Sequence, residues 1–432
     1  MVIASPWKPI VTELAQAKRV LMIAFHYPPD HSSSGVLRTL KYSVYLSESG
    51  WEPSILTVPV KSYQHTDPAL LKQIPPGLKV RRTRAINTRK TFSIAGKYLR
   101  ITTIPDPYIG WLPFAVAAGL GMIRREKFSA LYSTSPVATS HLVASVLKSL
   151  TGIPWVADFR DPWTEPELVR NPRAPLFRLE TTLERRVLRH ADRLIFTTAQ
   201  LRDEMVGRHK GVSAEKAVVI PNGYDEADFR GVSSGAPNPS PIQITHTGLV
   251  DESYRSPKGF LEALAALLKS GEISKGQLHV EFLGGGDYVE SPAFRTLVES
   301  LGLEGTVTVH GHVGYAECLD RQSRSHVLLL LQCGMDTRSL IPAKAFEYLR
   351  VGRPILALVP PSATSELFER TGGARVADPE NPMSIRSAVL DLFLAARAGN
   401  WRSNPNPAAL QSYSRQELTL RLAKELDQVT GD

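Results

Sequence analysis

The stretch Pro342-Ala343-Lys344-Ala345-Phe346-Glu347-Tyr348-Leu349-Arg350-Val351-Gly352 puts a cation, a carboxylate and a helix start within a few residues. Pro342 stands where a first helical turn tolerates a missing N–H, and Gly352 where a helix stops. The free N–H groups at such a start carry partial positive charge and suit a diphosphate. Lys344 and Glu347 lie three apart and share a helical face. A lysine reaches phosphate oxygens, and a carboxylate accepts hydrogen bonds from two vicinal ribose hydroxyls. The plain alternative is a Lys–Glu surface pair on an amphipathic helix.

Other segments could serve the same chemistry. Gly284-Gly285-Gly286-Asp287 follows the strand-like HVEFL, where three glycines permit close approach of a ligand or simply a turn. Thr247-Gly248 opens a loop leading through Arg255 and Lys258, two cations able to clamp a leaving diphosphate. The run from Phe25 through Pro28, Pro29 and Ser34 to Gly35 is a loop of small residues between a strand and a helix, fit for an anion or for an ordinary turn. In WVADFRDPW (Trp155–Trp163), Asp158, Arg160 and Asp161 crowd the end of an apolar run, which suits either an ion network or a site facing a cleft. The sequence has no HExxH, EF-hand loop or paired CxxC, so no metal is expected, and no GxxxxGK[ST] phosphate loop.

Such residues need elements to place them. Short apolar runs alternate with stretches of helical period: Arg19–Phe25, Pro53–Val58, Leu78–Arg82, Ala130–Ser133, Trp155–Phe159, Arg193–Thr197 and Ala217–Ile220. Their unbroken apolar character fits strands buried on both faces of a parallel sheet, hence a doubly wound α/β domain. Gly231–Pro241 (GVSSGAPNPSP) has the composition of a linker. The alternation then restarts with Ile242–Thr247, His279–Leu283, Thr306–His310, His326–Leu331 and Pro354–Val359, a second such domain. Arg415–Gln428 reads as a helix. The expected division is 1–230, linker 231–241, 242–400, and a terminal helical segment 401–432.

Composition sets the bounds. The 432 residues exceed one compact domain, and 43% apolar with 22% charged is a globular profile. Two cysteines, Cys318 and Cys333, are too few for a disulfide framework, so a reducing, cytoplasmic setting is expected. No apolar run reaches the length of a membrane span, and Met1–Ala17 lacks the pattern of a signal peptide. The net charge is +9, and in Lys79–Lys90 six of twelve residues are basic with none acidic. That stretch is either a solvated face or a patch for an anionic membrane surface or a phosphorylated acceptor. Nucleic acid is not expected, because no nucleic-acid-binding signature accompanies the charge.

Taken together, Tyr27-Pro28-Pro29 with Ser34-Gly35 and Arg38, the Pro154–Trp163 strand exit, Ala191-Asp192, IPNGYD (Ile220–Asp225), Thr247-Gly248, Gly284–Gly286, His310-Gly311-His312-Val313 and Lys344–Gly352 resemble the family-4 glycosyltransferases of the GT-B fold. The resemblance covers nearly the whole chain. It implies two Rossmann-like domains facing across a cleft, with a C-terminal helix crossing back to the first. It also implies a donor NDP-sugar, linked to uridine or guanosine, on the second domain. Glu347 falls on the ribose-binding position, Arg255 and Lys258 on the diphosphate pair, and Val313 near the base. Ser34-Gly35 approaches from across the cleft, and Asn222, Thr247, Gly248, Gly284, Gly285, Ser339, Leu340, Ile341 and Lys344 complete the donor contacts. Asp158, Arg160 and Asp161 would orient acceptor or sugar.

The family pattern is broken at three places: Ser339 replaces a second glutamate, Arg160 an active-site histidine, and Leu249 an arginine. These look like a bacterial subgroup bearing the DFRDPW segment. The activity expected is retaining transfer of a hexose-type sugar to an acceptor hydroxyl, with no cofactor or metal. The acceptor is a saccharide or lipid-linked saccharide of cell-surface polysaccharide or glycolipid synthesis, reached as a peripheral protein on the inner membrane face. A nucleotide-sugar epimerase on the same scaffold and a non-catalytic nucleotide-sugar-binding protein are the alternatives.

Overall fold

The protein is seen in a computed structural model that describes residues 18–31, 35–164, 174–232, 235–334 and 337–431. The first sheet contains β1 (Lys18–Ile23), β2 (Trp51–Thr57), β3 (Lys79–Arg82), β4 (Ala130–Thr134), β5 (Trp155–Phe159), β6 (Arg193–Phe196) and β7 (Ala217–Val219). The second contains β8 (Ile242–Thr247), β9 (Leu278–Leu283), β10 (Val307–His310), β11 (Val327–Leu331), β12 (Ile355–Leu358) and β13 (Ala374–Ala377). Their orders are β3-β2-β1-β4-β5-β6-β7 and β10-β9-β8-β11-β12-β13, and every pairing is parallel. In both, the order reverses beside the first strand, which makes two doubly wound domains with a switch point at β1/β4 and at β8/β11.

The central strands are apolar throughout because helices cover both faces. Side chains alternate along β1: Leu21 and Ile23 enter one core with Trp155 and Phe196, while Val20 and Met22 enter another with Tyr132 and Ile195. That second core is closed by residues almost four hundred positions away. The Arg415–Thr430 helix, capped by Ser414, presses Leu418, Leu422 and Leu426 onto it. Lys18 Nζ pairs with Asp427 at 2.9 Å, Trp51 Nε1 donates to the same oxygen at 3.1 Å, and Arg193 Nε meets Glu425 at 2.8 Å. The C-terminal helix therefore belongs to the first domain's core. A short helix, Pro407–Gln411, precedes it.

Among the described residues, twelve of the thirteen strands lie within a residue or two of the expected runs, and β13 is the one the sequence reading lacks. It lies at the sheet edge, where Ala374, Arg375 and Val376 are partly or fully exposed and only Ala377 is buried, and Arg375 breaks any apolar run. Among the described residues no helix is long and apolar enough to cross a membrane.

Candidate functional site

Parallel sheets collect all their strand carboxyl ends on one edge, and the two edges here face each other. His31, beyond β1, has Nε2 3.1 Å from Nε2 of His312, beyond β10. Thr198 Oγ1 donates to the Ser339 carbonyl at 2.5 Å, and Leu340 packs against the first domain's core. Ser339 and Leu340 thus join the two domains. Ile341, next along the chain, packs in the second.

The Ala343–Val351 helix follows β11, at the switch point of the second sheet. Pro342 is its N-cap and offers no side-chain bond to the first turn, and Gly352 ends it in the left-handed region at φ 73°. Lys344 and Glu347 do not pair with each other. Lys344 Nζ turns back over β8, 3.3 Å from His246 Nε2, and a methyl group on Gly248 would lie 2.9 Å from it. Burial, and then the charge of Arg255, lower Lys344 to about 7. His246 is fully buried with Nδ1 2.9 Å from the Leu329 carbonyl, and burial followed by Lys344 holds it well below the usual histidine range. Neutral His246 donates through Nδ1 and offers the Nε2 lone pair to the ammonium. The result is a slot at a helix start in which burial disfavours the Lys344 ammonium, and an anion there would restore what burial removes.

Arg255 is placed by its loop. Asp251 Oδ1 accepts from the N–H groups of Ser253, Tyr254 and Arg255, and Asp251 Oδ2 meets Arg255 Nη1 at 2.9 Å. Lys258 opens the Lys258–Lys269 helix; its side chain is 63% exposed and its nearest carboxylate is Glu262 at 3.9 Å. Glu347 accepts from Tyr315 Oη at 3.0 Å, and burial raises its carboxyl above the usual range. Thr247 is held by Tyr348 Oη, which lies 2.9 Å from its N and 3.1 Å from its Oγ1.

The glycines act in an unexpected way. Gly248 and Gly284 both have positive φ, and a methyl on Gly284 would lie 2.8 Å from the Gly248 Cα. One on Gly286 would lie 2.7 Å from the Val250 carbonyl. The backbone admitted so closely is that of the neighbouring Gly248 loop; a methyl on Gly285 would meet Glu290. Val313 is half-buried beyond β10, whose exit loop touches Gly284 through the Gly311 carbonyl at 3.2 Å.

Across the cleft, the three charges at the β5 exit separate. Asp158 is fully buried and bidentate to Arg38, at 2.8 and 2.9 Å, with Tyr132 donating to it as well. Burial works to raise its carboxyl, but the Arg38 guanidinium holds it below the usual range. Arg38 also donates to the carbonyls of Pro221 and Ile220, so this ion pair ties the first helix to the IPNGYD segment. Arg160 lies over Gly35: a methyl there would fall 1.5 Å from its Nη1. Its Nη1 donates to the Ser135 carbonyl at 3.0 Å, its Nε has no partner among the described residues, and burial lowers its pKa. Asp161 is half-buried beside it. Gly35 is thus required by the guanidinium on it, while Ser34 lies outside the described residues. Asn222 is half-buried in a segment pinned to the returning chain: Tyr224 N donates to Tyr413 O at 3.1 Å and Arg415 N to Tyr224 O at 2.8 Å.

Sequence reasoning missed His246 and Tyr315, which orient Lys344 and Glu347. His246 directly precedes Thr247-Gly248, but nothing in spacing distinguishes it from an ordinary core histidine. Among the described residues no group of three or more His, Cys, Asp or Glu is placed to hold a metal.

Comparison with known proteins bears on the fold. Residues 36–223 match the family described as a glycosyl transferase 4-like domain. No curated protein matches the chain in sequence. Among solved structures, the chain is similar to the sucrose-phosphate synthase of Thermosynechococcus elongatus, with 16% identity over 96% of this chain and 99% of that one and a TM-score of 0.62. It is similar to Anabaena HepE in complex with UDP, with 15% identity, 95% and 100% coverage and a TM-score of 0.59. A UDP-N-acetylglucosamine 2-epimerase shares 13% identity, with 96% and 97% coverage and a TM-score of 0.51. The fold is that of the GT-B proteins, two Rossmann-like domains facing across a cleft.

Proposed function

We propose that this chain is a retaining glycosyltransferase of the DFRDPW-bearing kind, moving a hexose-type sugar from a UDP- or GDP-linked donor to an acceptor hydroxyl. The acceptor is a saccharide or lipid-linked saccharide of cell-surface polysaccharide or glycolipid synthesis. The observation that carries the reading is the slot at the start of the Ala343–Val351 helix. There a half-buried lysine already short of its proton lies over Gly248 and feels the charge of Arg255, with Glu347 one turn further on.

In this reading the donor's diphosphate lies at the helix start, held by Lys344 and Arg255, and the ribose hydroxyls meet Glu347. As the sugar–phosphate bond breaks, negative charge grows on the leaving oxygen, and Lys344, Arg255 and the free N–H groups stabilise it without rearranging. Lys258 reaches in from its exposed position once an anion is present. Arg160, held against Gly35, faces the sugar from the first domain in place of the family's histidine, and Asp161 orients the acceptor. Asp158 acts through Arg38 as a structural brace. The leaving diphosphate takes the acceptor proton, so no second carboxylate is needed at Ser339.

A thermal-shift panel of nucleotide-sugars tests the donor assignment. A true donor at 100 times its Kd adds ~2.7 kcal/mol of stability, whereas a protein that binds none gives a flat panel. Product analysis separates the rivals: an epimerase releases altered nucleotide-sugar without any acceptor, and a binding protein leaves the donor intact. The anomeric configuration of the transferred sugar, read by NMR, tests retention.

A further inference from the structure

The loop that leaves the first sheet at β3 combines two features that rarely coincide on a surface facing water. Phe92, Ile94, Leu99 and Ile101 are all more than half exposed, Ile94 at 82% and Leu99 at 72%, and Tyr98 is exposed beside them. Isolated exposed apolar side chains are ordinary, but so many within ten residues mark an interaction site. Arg89, Lys90, Lys97 and Arg100 are interleaved with them, and between Asp67 and Asp106 the chain has nine Lys and Arg with no Asp or Glu. Among the described residues, the carboxylate seen near the tip is that of Glu180, 3.7 Å from Arg100.

The tip has a built shape. Ile94 and Lys97 exchange backbone hydrogen bonds at 2.8 and 3.0 Å around Ala95 and Gly96, both with positive φ (49° and 77°). That is the conformation of a tight hairpin turn, and an alanine in it is unusual enough to show that the turn is specified. Its base is tethered through Thr88, whose N donates to the Pro107 carbonyl at 2.8 Å, and Arg89 lies over the Tyr98 ring at 5.1 Å. Not all the basic residues of the region are available. Lys79 is paired with Glu126, and Arg82 donates to the carbonyls of Val58 and Pro28. Lys90 and Lys97, both exposed beside the apolar tip, have no ion pair among the described residues.

We propose that residues 89–101 form a docking tip for an anionic lipid bilayer. Branched aliphatic side chains at the extremity enter the acyl boundary, and the ammonium and guanidinium groups behind them meet headgroup phosphates. Charge complementarity selects this occupant. A nucleic acid would use the cations but gain little from Ile94 and Leu99, whereas a bilayer uses both. The tip follows the edge strand on the carboxyl side of the sheet, the side that carries Gly35 and Arg160. Docking there turns the cleft rim toward the lipid. The consequence for a lipid-borne acceptor rests on the proposed function; the docking itself does not.

The test is sedimentation of the full chain with vesicles of phosphatidylcholine alone or mixed with phosphatidylglycerol. The protein is expected to partition onto the anionic vesicles, less so as salt rises. Ile94→Ser/Leu99→Ser, which leaves every charge in place, is expected to lose at least about tenfold in partition, and Lys90→Glu/Lys97→Glu as much. Arg185→Glu/Arg186→Glu, on a basic concavity elsewhere in the domain, is expected to lose little. All substituted side chains are exposed, and unchanged melting curves confirm folding. The proposal is overturned if the wild-type protein ignores anionic vesicles at low salt, or if the aliphatic pair is without effect while Arg185 and Arg186 matter as much as Lys90 and Lys97. Because vesicle binding is read without donor or acceptor, its failure leaves the nucleotide-sugar reading untouched, and the converse holds.

Discussion

Lys344 turns the diphosphate assignment into a measurable proton count. In the empty protein burial and Arg255 lower it to about 7, so near neutrality half of the molecules carry a neutral amine in the slot. A bound diphosphate stabilises the ammonium and raises that value, so binding takes up a proton wherever the empty site lacks one. The charged fraction falls from about one half at pH 7 to about one hundredth at pH 9, so the apparent Kd should weaken about 50-fold, or ~2.3 kcal/mol. Stability of the empty protein moves the opposite way. The unfolded chain binds this proton up to the ordinary lysine range while the folded one does not, so Lys344 makes stability rise with pH from about 7 to 10.5. Isothermal titration of a nucleoside diphosphate-sugar in buffers of different ionisation enthalpy, from pH 7 to 9, reads both the affinity and the proton uptake. Lys344→Arg, charged throughout, should flatten the slope. A pH-independent Kd, or an equal slope in Lys344→Arg, refutes the reasoning.

Glu347→Gln should weaken nucleoside diphosphate binding about 10- to 100-fold, the worth of hydrogen bonds to a charged acceptor, yet leave inorganic pyrophosphate binding unchanged. Arg38→Met strands the buried Asp158 carboxylate and should cost about 3–5 kcal/mol in urea denaturation followed by tryptophan fluorescence; Asp158→Leu on top of it should return much of that loss. Gly223→Ala puts a methyl 1.9 Å from the Tyr413 carbonyl, backbone against backbone, and should cost about 1–3 kcal/mol in the same assay without changing donor affinity.

What could be read from the sequence was local or periodic. Strands such as β5 and β8 announce themselves by unbroken apolar runs, and the Ala343–Val351 helix by the proline before it and the glycine after it. Side-chain partnerships could not be read, because they join distant residues. Asp158, Arg160 and Asp161 look like one cluster in sequence, yet Asp158 is claimed by Arg38, 120 positions earlier, and Arg160 by the bare backbone of Gly35. Lys344 and Glu347 look like a pair and are drawn apart by His246 and Tyr315. The glycine triplet signals close approach correctly, but sequence does not say to what, and the answer is the Gly248 loop. The exposed tip at Ile94 escaped notice because apolar residues in a short stretch are normally read as core.

The Leu418, Leu422 and Leu426 face completes a core whose other half begins at Val20. During synthesis that half emerges first and must wait, its apolar side uncovered, until Leu418, Leu422 and Leu426 have left the ribosome. Removing the Arg415–Thr430 helix would therefore do its damage at the opposite end of the sequence, leaving the second domain with a sticky, unfinished companion. Fragments cut at the linker should be prepared with the terminal helix supplied as a separate peptide.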